Sequence, residues 1–222
     1  MEWLYFLIFS VVMFLLPLIG YRKYSGVTLY ALAIGGVVNA NYYHAMVFEI
    51  NIFGLPFGID SVIYTLFIFC VVVWYIIEGL KGAISITISS VAAIIIAAVI
   101  QLSGDLISDG SSVAEWQTFG IFMITSVAIV VAIAVMLYVF EKIKGKVNHY
   151  VLLIIGIIIA SLLNTAIYYP FMILITGHNS NDILPLLNAS YLGKSLSLII
   201  SLGTLYIMKC IDKKVLKKDG SK

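Results

Sequence analysis

Lys194 stands inside the run Asn188 to Tyr206, N-A-S-Y-L-G-K-S-L-S-L-I-I-S-L-G-T-L-Y, and every other basic residue lies outside such an apolar stretch. An ammonium at membrane depth costs at least about 2.5 kcal/mol unless a carboxylate, a carbonyl, water or a solute meets it, which makes it a functional-site candidate. Helical spacing places Tyr191, Lys194, Leu198 and Ser201 on one face, with Ser197 and Thr204 beside it. The chemistry open to this stripe is capture of a polar molecule by charge and hydrogen bonds. An intramembrane enzyme has no support: there is no nucleophile and base pair and no H-E-x-x-H spacing, and His44, His149 and His178 are widely separated. The sequence therefore predicts no enzyme, no metal site and no cofactor.

Other polar residues fall at a similar depth. Asn39, Asn41, Tyr42, Tyr43 and His44 cluster in the outer half of one apolar stretch, where Asn39 and Asn41 cannot share a face, so only one of them lines a common cavity. Asp60 and Tyr64 open another stretch, Asp60 being either an N-cap or a carboxylate for Lys194. Ser161, Asn164 or Thr165, and Tyr168 follow helical spacing in a third. A pocket walled by Asn41 or Asn39, His44, Asp60, Tyr64, Asn164, Tyr168, Tyr191 and Lys194 is aromatic and rich in hydrogen bonds. It suits a small, polar, planar solute.

The elements that must position these residues are membrane helices. Of 222 residues, 62% are hydrophobic and 11% charged. A helical span needs about 20 apolar residues. Seven stretches qualify: Trp3 to Ile19, Val27 to Phe48, Ile59 to Ile77, Ala83 to Leu102, Thr118 to Phe140, Tyr150 to Thr176 and Ala189 to Met208. The loops between them alternate in charge. Arg22 and Lys23, Lys81, then Lys142, Lys144 and Lys146, and finally the tail from Lys209 alternate with loops that hold Glu49, Asp105, Asp109, Glu115 and Asp182 but no Lys or Arg. Positive loops stay cytoplasmic, which predicts an outside N-terminus, an inside C-terminus and an odd number of spans. The expectation is one all-α transmembrane domain over residues 1–222 in the cytoplasmic membrane, ending in a basic tail at 209–222. The net charge of +2 reports this orientation and not nucleic-acid binding.

The first stretch lacks a basic leader and a small-x-small cleavage site, so it reads as a retained helix. Ala31, Gly35, Gly36 and Ala40 predict a close-packing face on the second helix, and Ser85, Ser89 and Ala92 or Ala93 a packing seam on the fourth. The segment Glu49 to Gly58 reads either as an interfacial lid or as a simple Gly/Pro turn. Tyr169 and Pro170 predict a break in the outer turn of the sixth helix. Cys70 and Cys210 lie at different membrane levels and predict packing thiols without a disulfide.

Several of these residues also form a familiar pattern. Leu29-Tyr30 with Ala40-Asn41, Phe53-Gly54-Leu55, Tyr64, Gly79, then Tyr191-Leu-Gly-Lys194 and Tyr206 resemble the vitamin uptake transporter family, also called the queuosine precursor transporters or the YhhQ family, in a form with an additional first helix. The resemblance implies a six-helix core made by helices 2 to 7 and uptake of a purine-like 7-deazaguanine base. The chain departs from the family where an Asp and, four residues later, a Glu are usual: Val72 and Ile76 stand there, and Asn164 stands where many members have Asp. There is no ATP-binding signature, so an ATP-driven version needs a separate energising module, as the substrate-binding subunits of energy-coupling-factor importers do. A reading of another class is a seven-helix retinal sensor with Lys194 as the Schiff base, against which no carboxylate stands in the middle of the third helix.

Overall fold

The structure is a computed structural model that describes residues 2–24, 26–45, 49–52, 55–108, 113–177 and 183–211. Its elements are α1 (Glu2–Tyr24), α2 (Gly26–Ala45), β1 (Glu49–Ile52), β2 (Leu55–Gly58), α3 (Ile59–Ser108), α4 (Val113–Ile143), α5 (His149–Thr176) and α6 (Ile183–Ile211). Among the described residues three helical stretches are long and apolar enough to cross a membrane: 61–103, 116–143 and 149–175. Their exposed side chains include a large aliphatic set, among them Ile88, Ile96, Val99, Val127, Val130 and Leu162. A water-facing surface cannot be built from these, whereas hydrocarbon can cover them. The protein is a membrane-embedded helical protein.

α3 is the axis of the fold. As a straight helix its 50 residues would extend about 75 Å, far beyond a hydrocarbon core of about 30 Å. Gly79 divides it, with φ 74° and ψ −162°, a conformation open to glycine and unfavourable for a residue with a Cβ. Glu78 and Lys81 beside the break are exposed. The break is tight enough that a Cβ on Gly82 would lie 2.7 Å from the Trp74 indole. The two expected helices, Ile59 to Ile77 and Ala83 to Leu102, are thus the halves of α3. Every residue from Ser61 to Val72 is buried, as befits a helix that packs against α1, α2, α4, α5 and α6.

Small residues set the spacing around this axis. Gly156 on α5 has no room for a Cβ, which would lie 2.6 Å from Phe140 Cζ of α4 and 2.9 Å from Val72 Cγ2 of α3. On α2 the packing face is Leu29, Ala33, Gly36 and Val37, with Gly36 against Ile63 and Leu66 of α3. The expected Ala31 and Gly35 pair faces away: Ala31 is exposed, and a Cβ added to Gly35 would meet nothing within 4 Å. The second half of α3 corrects its expected seam in the same way. Ser85 and Ala92 are exposed, and the buried stripe is Ala83, Ile86, Thr87, Ser90, Ile94 and Ala98. Gly36 packs as expected and Ser89 and Ala93 are half-buried, whereas Ala31, Gly35, Ser85 and Ala92 lie off the packing faces, because apolar residues on every face leave lipid and protein sides alike in composition.

Two local features also differ from expectation. Glu49–Ile52 and Leu55–Gly58 form an antiparallel hairpin, with Glu49 opposite Gly58 and Ile52 opposite Leu55, where a loop was expected in an all-α chain. β1 packs on α1 and β2 on α6. Pro170 does not break α5, which continues to Thr176 and closes on Gly177 in the left-handed conformation. A proline removes a single backbone donor, and neighbouring helices keep the remainder of the segment helical. Toward the opposite end, the Tyr75 hydroxyl donates to Glu141 Oε1 at 2.7 Å, and Lys144 lies 3.8 Å from the same oxygen, tying α3 to α4. Cys70 is buried as a free thiol. Of the basic tail, α6 includes residues up to Ile211, and 212–222 fall outside the described residues.

Candidate functional site

Lys194 is 6% exposed, and its surroundings come from two other helices. Nζ donates to Thr165 Oγ1 at 2.5 Å and reaches Asn164 Oδ1 at 3.4 Å, a longer contact, both on α5. The Tyr64 ring of α3 lies under the ammonium, with 4.8 Å from Nζ to the centroid, a distance at which the ring quadrupole attracts a cation. Two oxygens and a π face thus replace part of the hydration shell lost on burial.

Each helix presents its group for a local reason. α5 lies between α3 and α6, so consecutive residues Asn164 and Thr165 are both buried rather than one facing lipid. Ser161 stands one turn before them on the same face, also buried. On α6 the buried face continues through Ser197, Ser201 and Thr204, whose hydroxyls donate to their own helix at Gly193, Leu198 and Ile200. Lys194 therefore heads a polar stripe with self-satisfied donors below it.

The eight expected site residues separate into three groups. Tyr64, Asn164 and Lys194 are brought together as described. Tyr191, three residues before Lys194, is half-buried, and Tyr168 is buried in a satellite cluster with Ala128, Tyr169, Met172 and Ile173, its ring 5.3 Å from that of Tyr169. Asn41, His44 and Asp60 belong to α2 and α3, but their side chains lie outside those described, as does that of Asn39. Of the two oxygens on α5, that of Thr165 is the nearer to Lys194; helical spacing offers Thr165 as an alternative to Asn164, and the structure uses both. Among the described residues no group of His, Cys, Asp or Glu could hold a metal ion.

No protein-family model matches the chain, and neither does any curated protein or solved structure. The class defined by fold and site is a membrane-embedded helical protein with a buried lysine held between helices.

The bond to Thr165 has a measurable consequence. Thr165→Val keeps the shape and removes the close acceptor of a charged donor, and hydrogen bonds to charged groups contribute about 1.5 to 3 kcal/mol. The variant should be destabilised by that order in detergent unfolding, and Thr165→Ser should recover most of it. Equal stability of Thr165→Val and the parent would show that the oxygen does not hold Lys194.

Proposed function

We propose that this chain is a membrane transporter that imports a small planar polar solute, and that its substrate is a 7-deazaguanine queuosine precursor or a similar purine-like base. The observation that carries the proposal is the buried ammonium of Lys194 against Asn164, Thr165 and the Tyr64 ring. A charge buried at a junction of three helices is a poor choice for stability alone, because an apolar replacement commonly does as well or better. It serves a site that must recognise polar atoms away from bulk water. Tyr64 and Lys194, which meet here, are also among the motif residues that carry the resemblance, with Tyr191 and Gly79. Gly79 is also the residue at which α3 divides.

In this reading the chain spans the membrane seven times. α1 and α2 contribute two spans, the halves of α3 two more, and α4, α5 and α6 one each. The alternation of basic and acidic loops puts the N-terminus outside, the C-terminus inside, and Lys194 in the outer half of the bilayer. Asn41, His44, Asp60, Tyr168 and Tyr191 complete the pocket around Tyr64, Asn164 and Lys194. Solute enters from the outside, and relative movement of the helices that share Lys194 exposes it to the cytoplasm. Energy from ATP would require a separate partner, since the chain carries no nucleotide-binding signature.

Uptake of a radiolabelled 7-deazaguanine base by cells that cannot synthesise it tests this function. Expression of the chain should confer uptake. Asn164→Leu should lower it at least about 10-fold, the scale of one lost hydrogen bond plus a stranded partner, at unchanged membrane expression. Ser89→Ala on the half-exposed face of α3 should not. No uptake by the parent, or equal loss in both variants, would defeat the reading. Orientation is tested separately: cysteines replacing Ser111 and Ser180 should react with an impermeant thiol reagent in intact cells, and one replacing Lys144 should not. Labelling at position 144 from outside would reverse the topology.

A further inference from the structure

The outward side of α4 changes chemistry at one end. Val127, Val131, Val135 and Tyr138 are exposed and recur at helical spacing, so they form one stripe. Four residues after Tyr138 the stripe reaches Lys142, in the last turn of the helix. Tyr138 is 65% exposed, and Lys142 Nζ stands 5.5 Å from its ring centroid, a distance at which an aromatic face attracts a cation. An aliphatic stripe that ends in an exposed tyrosine and then a lysine marks the passage from hydrocarbon to lipid headgroups.

The turn after α4 keeps further positive charge at this level. The Lys146 N–H donates to Ile143 O at 2.9 Å, with Gly145 at φ 77° inside the turn, which returns Lys146 to within about 7 Å of Ile143. Lys142, Lys144 and Lys146 are all exposed. The neighbouring carboxylate, Glu141, is engaged on the other side: its Oε1 accepts from the Tyr75 hydroxyl of α3 at 2.7 Å and lies 3.8 Å from Lys144 Nζ. Glu141 and Lys144 therefore offset each other. Among the described residues neither Lys142 nor Lys146 is paired with a carboxylate. Two ammonium groups without a counter-charge, continuous with a surface that hydrocarbon covers, fit a partner that is anionic at its head and apolar below it. A soluble anion would match only the lysines, and a neutral lipid only the stripe.

We propose that Lys142 and Lys146, set above Tyr138, form a binding surface for an anionic phospholipid, with its phosphate between the two lysines and its acyl chains along Val127, Val131 and Val135. This surface is independent of the transported solute and requires only that the chain is embedded in a membrane.

Titration of the purified full-length protein in detergent with dioleoylphosphatidylglycerol or dioleoylphosphatidylcholine, read by native mass spectrometry, tests the surface. A lysine near an anionic lipid contributes roughly a 5-fold change in affinity, so the parent should bind the anionic lipid about 10-fold or more tightly than the choline lipid. Lys142→Gln and Lys146→Gln should each lower that preference about 3- to 5-fold, and the double variant about 10-fold or more, with affinity for the choline lipid unchanged. The double replacement by Arg should retain the preference. Equal affinity of the parent for both lipids would overturn the surface. So would a preference that survives in the double Gln variant, since lysines elsewhere, those of 209–222 among them, would then supply it. Displacement of the anionic lipid by inorganic phosphate at matched ionic strength would reduce the surface to a simple anion site and overturn it as well.

Discussion

An ammonium inside a membrane protein must be met where it stands, and this requirement fixes the relation of three helices. Thr165 and Asn164 approach Lys194 from α5, and the Tyr64 ring approaches from α3. None of these contacts tolerates much displacement. An N–H to O bond weakens over a few tenths of an ångström, and the attraction of a ring for a cation requires the charge over its face. Rotating α6 by one residue, about 100°, would carry the lysine off this junction. The phase of α6, the burial of two consecutive polar residues on α5 and the depth of Tyr64 on α3 are therefore one constraint seen from three sides.

Packing around α3 keeps that constraint in force. The fully buried run Ser61 to Val72 is held by Gly36 of α2 on one side and by the close approach of Gly156 of α5 on another. Tyr30 and Trp74 meet edge to face at 5.3 Å, joining α2 to α3. Tyr75, Phe140 and Glu141 join α3 to α4, with 5.0 Å between the two ring centroids. Apolar contact and two aromatic seams thus position the helix whose Tyr64 serves the site. A residue larger than glycine at 156 would push α5, and Asn164 with it, away from α3.

Much of this was legible in the sequence, and the reasons are physical. One lysine among apolar neighbours marks itself, because the cost of burying a charge is large compared with any propensity. Asn164 and Thr165 were legible as a polar step at helical spacing with Ser161, and the need for a break near Gly79 as a span-length limit bracketed by Glu78 and Lys81. Phase was not legible. Ala31 and Gly35, or Ser85 and Ala92, are small in the same pattern as the residues that do pack, and hydrocarbon outside a helix selects the same side chains as protein within it. The hairpin Glu49–Gly58 was hidden for another reason: eight paired residues of mixed composition give too short a pattern to separate from a turn.

In a transporter Lys194 is a binding group rather than a structural charge. The direct measurement is the affinity of purified Lys194→Met for a labelled 7-deazaguanine base, alongside its elution as a folded, monodisperse protein. Methionine keeps a long flexible stem and removes the charge. A folded variant whose affinity falls at least about 10-fold, one lost charged hydrogen bond or more, is the predicted result. A folded Lys194→Met that binds the base as tightly as the parent would contradict it.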